Sequence, residues 1–345
     1  MSMAKKSTSR AVVVIPSWNA KDALKGCLDS LLAQTLKPHI IVVDNGSIDG
    51  SADYIEKHYP DVELIRHDVN KGYAGGVNPG FRRAIELGAD YTAPFNNDAV
   101  ADKNWLKRLV DYLDGHTEVG IAACKVLSAD GKHIDSTGDQ YTVWGLPYPR
   151  GRGETDINKY DDDTEIFGAS GAASLYRVKL LETVGLLDEA FFAYYEDVDL
   201  SFRAQLAGWK VAFVPDSVVY HEISATSNKI KGFATYQTMK NQPLLLYKNV
   251  PRKYLWRIGW RFTIAHCLFF IRAITRGQGW PALKGDLKGT ALLGEARRQR
   301  KQIQTDRKAA DSYIWSMLTH DLPPNAHALR KLRSVWWALT FRRAR

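Results

Sequence analysis

Short polar side chains and acids recur where apolar runs stop. Ala11–Ser17 (AVVVIPS) ends in Pro16-Ser17-Trp18-Asn19, His39–Asp44 (HIIVVD) in Asp44-Asn45-Gly46-Ser47, and Tyr91–Phe95 in Asn96-Asn97-Asp98. Turn formation alone accounts for any one of these tips. Three in succession point to a shared crevice with hydroxyl, amide and carboxylate groups for a polar ligand. Further along, Glu196, Asp197 and Asp199 put three carboxylates into four residues of FFAYYEDVDLSFR. An acid at a helix start is ordinary capping. Aromatic surroundings and neighbouring like charges, however, raise a carboxyl pKa, as suits a general base. His221 closes the short run Ser217–Tyr220; a structural histidine is the plainer reading, a metal ligand the sharper one. Gly72, Gly75, Gly76 and Gly80 precede a helix in NKGYAGGVNPG, where backbone N–H groups can cradle a diphosphate. The first strand leads into a glycine-free turn, which speaks against the dinucleotide fingerprint and an NAD enzyme.

The elements that must position these residues alternate over the first 125 residues. Ala11–Ser17 reads as a strand buried on both faces. A helix follows with Ala23, Leu24, Cys27, Leu28, Leu31 and Leu32 on one side. Strand His39–Asp44, a helix near Ala52–His58, strand Val62–Arg66, a helix over Val77–Leu87 with Pro79 in its first turn, strand Tyr91–Phe95 and helix Trp105–Leu113 continue the series. This pattern predicts an α/β fold, a mostly parallel sheet with helices on both faces. Its ligands bind beyond the carboxyl ends of the strands. Residues 128–165 lose all periodicity and read as a long functional loop. Helices near Arg177–Val184 and Val198–Ala207 and strand Lys210–Val214 come next, and from Ala225 the pattern is helical.

The 345 residues allow about two domains, here 11–227 and 228–345 after a disordered 1–10. The first 227 residues carry 23 Lys/Arg against 33 Asp/Glu, a net charge of −10. The remainder carries 24 against 5, a net charge of +19, with six of the ten tryptophans: Trp256, Trp260, Trp280, Trp315, Trp336 and Trp337. Basic residues interleaved with large apolar ones, as in Tyr254–Phe262, suit an interfacial helix on an anionic membrane surface. No nucleic-acid signature accompanies them, so nucleic acid is not expected as a partner. The N-terminus lacks a signal-peptide core. The most apolar stretch, Phe262–Ile271, is too short to span a bilayer. Cys27, Cys124 and Cys267 form no CxxC pair, which predicts neither a disulfide framework nor a zinc knuckle and fits a reducing cytoplasm.

Taken together, VVVIPSWN (12–19), IIVVDNGSIDGS (40–51), NKGYAGGVNPG (70–80), FNNDA (95–99), GASGAASLYR (168–177) and the segment 185–221 resemble the inverting family 2 glycosyltransferases of GT-A (Rossmann-like) fold, in particular their bacterial rhamnosyltransferase-like branch. The resemblance covers residues 11–225. It implies a pocket for the base and ribose of a nucleotide-sugar donor at Pro16, Ser17, Asn19 and Asp44, with Asn45, Ser47 and Asn97 in the same donor site. Lys71, Gly72, Gly76 and Asn78 would lie near the diphosphate. Asp98 matches the last position of the family's metal-binding DxD motif, and His221 a position that supplies a further metal ligand. Asp197 matches the catalytic base, with Glu196 as its rival. The first DxD acid is replaced by Asn96, a residue also found in the rhamnosyltransferase-like branch.

The implied reaction is chemically coherent. A divalent cation, Mg²⁺ or Mn²⁺, stabilises the departing nucleotide diphosphate. A carboxylate removes the proton from the acceptor hydroxyl, and attack from the opposite face inverts the anomeric centre. The expectation is transfer of L-rhamnose from a dTDP-sugar to a lipid-linked glycan or polysaccharide acceptor in cell-surface glycan synthesis. The site would be the inner face of the cell membrane, reached peripherally from the cytoplasm. Hexosyl or galactofuranosyl transfer from a UDP-sugar is the alternative, and a non-catalytic scaffold that keeps the fold a third. A helical tail of this kind is also compatible with a homodimer.

Overall fold

The computed structural model describes residues 9–222, 230–324 and 326. Residues 1–8, the chain around Ala225 and Trp336–Trp337 lie outside them, as does the expected boundary at 227/228. β1 (Ala11–Ser17), α1 (Lys21–Leu32), β2 (His39–Asp44), α2 (Ser51–His58), β3 (Glu63–Arg66), α3 (Gly72–Glu86) and β4 (Tyr91–Pro94) alternate as the sequence pattern predicts. β5 (Ala99–Ala101), α4 (Trp105–Gly115), β6 (Val119–Ser128), β7 (Ile134–Ser136), β8 (Asp139–Tyr141), β9 (Pro147–Pro149) and β10 (Leu175–Arg177) follow. Then come α5 (Val178–Val184), α6 (Glu196–Leu206) and β11 (Lys210–His221). α7 (Phe233–Asn249), α8 (Arg252–Thr275), α9 (Gly279–Ala291), α10 (Leu293–Thr305) and α11 (Asp311–Met317) form the helical region.

One large sheet runs β3-β2-β1-β4-β10-β6-β11-β5, with β7 added on β6. β10 and β5 run antiparallel to their neighbours, and the other pairs along that path are parallel. Pairing of Ser17 with Asp44 brings two polar tips side by side at one edge of the sheet. Pairing of His221 with Ala99 brings the end of β11 to the segment that follows β4. The sheet is apolar on both faces: Val13, Ile15, Ile40 and Val42 pack with α1 and α4, and Val12, Val14, Ile41 and Val43 with α3.

Several expectations change. The strands expected at Lys210–Val214 and Ser217–Tyr220 are one strand, β11, with an irregularity between Val214 and Val218. β5, β6 and β10 are additional strands, and the aperiodic 128–165 segment contains β7, β8 and β9. Leu32, expected on the buried side of α1, faces solvent. The glycine segment is not a loop ahead of a helix: α3 starts at Gly72 and contains all four glycines. A Cβ on Gly80 would lie 2.3 Å from Val14 Cγ1, so glycine lets α3 press against β1. Pro79 therefore sits in the helix interior, where it cannot donate to the Gly75 carbonyl. His67 Nε2 stands 3.3 Å from that oxygen and takes over.

A third apolar cluster joins the helical region to the α/β part, with Tyr141, Phe167, Phe191 and Phe202 packed among Leu244, Leu245, Tyr254, Ile258 and Phe262. α9 meets α7 closely. A Cβ on Gly285 would lie 2.4 Å from the Tyr236 carbonyl oxygen, and one on Gly289 2.8 Å from that of Lys240.

Candidate active site

A cleft of about 710 Å³, in the size range of small-molecule sites, opens over the strand tips. Its lining includes Pro16, Ser17, Asn45, Gly72, Asn97, Asp98, Glu196, Asp197 and His221, all singled out from the sequence. Asn19 and Ser47 are not part of the lining but lie beside it: Ser47 Oγ accepts from Asn19 N–H at 2.9 Å, and Asn19 Oδ1 from Ile48 N–H at 2.9 Å. Asn19 takes a positive φ of 48° there.

Asp44, Lys71, Gly76 and Asn78 do not line the cleft. Asp44 is buried beneath the tip, with Oδ1 lacking a partner among the described residues. Lys71 is exposed, and its N–H donates to Asn45 Oδ1 at 3.0 Å. Gly76 is a contact point, where a Cβ would lie 3.1 Å from Pro16 Cβ. Asn78 is buried and fully engaged: Nδ2 donates to the Leu187 carbonyl and to Glu189, and Oδ1 accepts from Leu187 N–H.

In the cleft lining, His221 Nε2 lies 3.2 Å from Asp98 Oδ1 and 3.1 Å from Asn96 Nδ2. Its Nδ1 lies 2.8 Å from Asp135 Oδ2, a residue of β7 that sequence reasoning missed. Burial pulls the imidazole down, but the bonds to Asp135 and Asp98 outweigh it and lift the pKa to about 9. A carboxylate behind the second ring nitrogen is how metal-binding histidines are commonly oriented. A carboxylate and an imidazole side by side fit Mg²⁺ or Mn²⁺ when phosphate oxygens complete the shell. Among the described residues no group of three or more His, Cys, Asp or Glu side chains is placed to hold a metal ion.

The three acids of the FFAYYED segment part company. Asp197 faces the cleft; its Oδ2 accepts from Gly171 N–H and its Oδ1 from Val198 N–H, both at 2.8 Å. Burial nonetheless raises its pKa. Glu196 is 5% exposed, and burial followed by repulsion from Asp197 lifts it to about 8. Asp199 is fully buried and outside the cleft. Burial would raise it, but Lys248 and Arg203 overcome that and lower it. Its carboxylate binds Arg203 Nε at 2.8 Å, Lys248 Nζ at 2.9 Å and Asn249 Nδ2 at 2.8 Å, and so joins α6 to α7. The acidic knot thus contributes two residues to the site, not three.

The segment before Asp197 is strained, with φ of 62° at Phe192, 69° at Tyr194 and 72° at Tyr195. Side chains of this size rarely adopt such angles without support. Asn241 of α7 supplies it, its Nδ2 lying 2.9 Å from the carbonyl oxygens of Phe191, Ala193 and Tyr194. Lys240 Nζ adds bonds to the carbonyls of Ala190 and Phe191. The sequence signal for Asn241 was absent, since one amide in a helix has no motif.

Asp139, also unforeseen, lines the cleft near Asp197. Burial, then the Asp197 charge, pushes it well above the usual carboxyl range.

The family model "Glycosyl transferase family 2" matches residues 12–185. The chain is 25% identical over 311 residues to the N-acetylglucosaminyl-diphospho-decaprenol L-rhamnosyltransferase of Mycobacterium tuberculosis, covering 84% of this chain and 96% of that protein. It is 27% identical over 223 residues to the dTDP-rhamnosyl transferase RfbF of Shigella flexneri, covering 61% and 71%. Among solved structures, the Pyrobaculum calidifontis mannosyltransferase PcManGT in complex with GDP-Man and Mn²⁺ aligns at TM-score 0.53 and 16% identity, over 89% of this chain and 85% of that one. Staphylococcus aureus TarS 1–349 in complex with UDP aligns at 0.53 and 15% identity, over 91% and 94%. These structural likenesses carry the fold alone.

Proposed function

The chain belongs to glycosyl transferase family 2, and from that premise we propose that it moves L-rhamnose from dTDP-rhamnose, with inversion, to a lipid-linked or polysaccharide acceptor in cell-surface glycan synthesis. The observation that carries this reading is one cleft whose lining holds Asp98 and His221 side by side together with the backbone-held carboxylate of Asp197. The rhamnosyl transfer named for two relatives supports the choice of sugar.

In this reading the donor's base and ribose lie over Pro16, Ser17 and Asn45, with Asn19, Asp44 and Ser47 shaping the wall. Gly72 and Asn97 face the diphosphate. Asp98 and His221 hold Mn²⁺ or Mg²⁺, which when bound neutralises charge on the leaving nucleotide. Two backbone N–H groups fix the Asp197 carboxylate, leaving a lone pair on it for the acceptor hydroxyl proton. Removing that proton as the hydroxyl oxygen attacks forms the new glycosidic bond, while the bond to the diphosphate breaks on the opposite face.

The acceptor reading draws on the helical region. α8 buries Tyr254, Ile258, Phe262 and Ala265 against the molecule and leaves Trp256 80% exposed, with Trp260, Ile264, Ile271 and Ile274 also open to solvent. Trp256, Trp260 and Ile264 line an apolar groove of about 960 Å³ with Arg297 at its margin. Among the described residues no helix is long and apolar enough to cross a membrane. Exposed tryptophans among Arg and Lys suit contact with an anionic leaflet where a lipid-linked acceptor resides.

The test is nucleotide release from a panel of dTDP-, UDP- and GDP-sugars, with a polyprenyl-diphosphate amino-sugar acceptor. Release of dTDP with rhamnose incorporation is expected. Turnover of a UDP-sugar instead would favour the hexosyl or galactofuranosyl alternative. No release from any donor would overturn the reading.

A further inference from the structure

A chain of charged groups lines the cleft, and neither donor pocket nor base accounts for it. Arg152 Nη2 lies 2.8 Å from Asp135 Oδ1, and Arg152 Nε donates to the Asp135 carbonyl oxygen at 3.2 Å. The other Asp135 oxygen lies 2.8 Å from His221 Nδ1, and His221 Nε2 lies 3.2 Å from Asp98. Asp135 is 2% exposed, with Oδ2 hydrogen-bonded to His221 and Oδ1 in ion-pair contact with Arg152. The Arg152 side chain, in contrast, keeps 53% of its surface open.

The charge around it explains why that matters. Among the described residues, the cleft lining holds five carboxyl groups, those of Asp98, Asp135, Asp139, Glu196 and Asp197. Arg152 is the one Lys or Arg among the described residues of the same lining. Burial keeps Asp139 and Glu196 protonated near neutral pH, but a nucleoside diphosphate carries several negative charges, and the carboxylates that remain ionised repel it unless cations intervene. With Asn96 in place of a carboxylate, a metal here has fewer protein ligands. A fixed guanidinium can supply part of the missing attraction, and its planar fork matches phosphate oxygens.

We propose that Arg152 is an anion-binding residue that takes a non-bridging oxygen of a diphosphate, and that Asp135 positions Arg152 and His221 together. The proposal rests on the glycosyl-transfer reading and extends it to residues of the aperiodic 128–165 segment. The oxygen comes either from the donor nucleotide or from the diphosphate of a lipid-linked acceptor.

Calorimetric titration of the full chain with dTDP and UDP, in EDTA and in Mn²⁺, tests it. Arg152→Ala should weaken nucleotide binding about tenfold or more, by a similar factor in both buffers. Arg152→Lys, lacking the fork, should recover only part of the loss. Asp135→Asn should weaken binding in EDTA and weaken it further in Mn²⁺, because His221 also loses its partner. Arg152→Lys keeps a cation beside the buried Asp135 and should melt like the wild type, whereas Arg152→Ala strips that carboxylate of one partner, so its binding loss is read only at temperatures below its own Tm. If nucleotide affinity holds but Arg152→Ala raises KM for a diphosphate-linked acceptor, the bound oxygen is the acceptor's. If neither quantity moves, the proposal is overturned. An Asp135→Asn loss equal in both buffers removes the His221 half. If the wild type binds no nucleoside diphosphate at all, the reading of the reaction fails and takes this proposal with it.

Discussion

Asp197 and Glu196 are adjacent but differently held, and that difference separates their tests. Two N–H donors orient Asp197 without neutralising it, whereas Glu196 lies deeper, with Oε2 lacking a partner among the described residues. Asp197→Asn should therefore lower kcat by about 10²–10⁴ while nucleotide affinity changes little. Glu196→Gln should cost far less, and steady-state kinetics on the two variants decides between them. Because burial raises the Asp197 carboxyl, the acid-side fall of kcat should lie at a higher pH than an ordinary aspartate would give.

Stability responds to Glu196 in the opposite sense. Its folded pKa of about 8 exceeds the unfolded value, so the fold holds a proton that the unfolded chain has released between about pH 4.5 and 8. Across that window stability falls as pH rises. Glu196→Gln should raise Tm relative to wild type more at pH 8.5 than at pH 5; an equal shift at both would contradict the burial argument. Asp199, by contrast, is structural. Asp199→Ala would leave Arg203 buried without a carboxylate and Lys248 with Asp188 alone, a loss of about 3–5 kcal/mol that a urea melt would register.

At the scale of elements, the sequence was most legible where β-branched runs meet amphipathic helices, as in β1, β2 and α1. It failed where the signal is short or atypical. β6, reading VGIAACKVLS, mixes Gly, Ala and Cys into a strand and lacks the Val/Ile density that marks β1 and β2. β5 and β10 have three residues each, too few for any period. The start of α3 was misplaced because glycine is a poor helix former in isolation. Here close packing on β1 and the Phe192 loop overrides propensity. Gly80→Ala should destabilise by about 1–3 kcal/mol through the clash with Val14, and Val14→Ala in the same chain should return part of the lost Tm. The strand-tip residues were legible because parallel strands bring their tips to one edge. Asp135 and Arg152 were not, since the contact to His221 spans 86 residues and no local pattern encodes it.

Across the whole molecule, net charge divides along the chain, −10 over residues 1–227 and +19 over 228–345, and α8–α10 carry exposed apolar residues among the bases. Trp256→Asp combined with Trp260→Asp should abolish co-sedimentation with phosphatidylglycerol vesicles while leaving nucleotide binding intact. Retained sedimentation would remove the membrane assignment from this face.

The close seat of α9 on α7 has a consequence for heredity. Gly289 lies against the backbone of Lys240, and Lys240 and Asn241 hold the bent segment that carries Asp197. A recombination break between the two halves of the chain would part this glycine from the loop it indirectly supports. Descendants that exchange the C-terminal helices must therefore inherit FFAYYED, α7 and α9 as one block, or repair the joint by further substitution. Chimeras of related enzymes cut near residue 228 should be inactive more often than those cut behind α9, near residue 292.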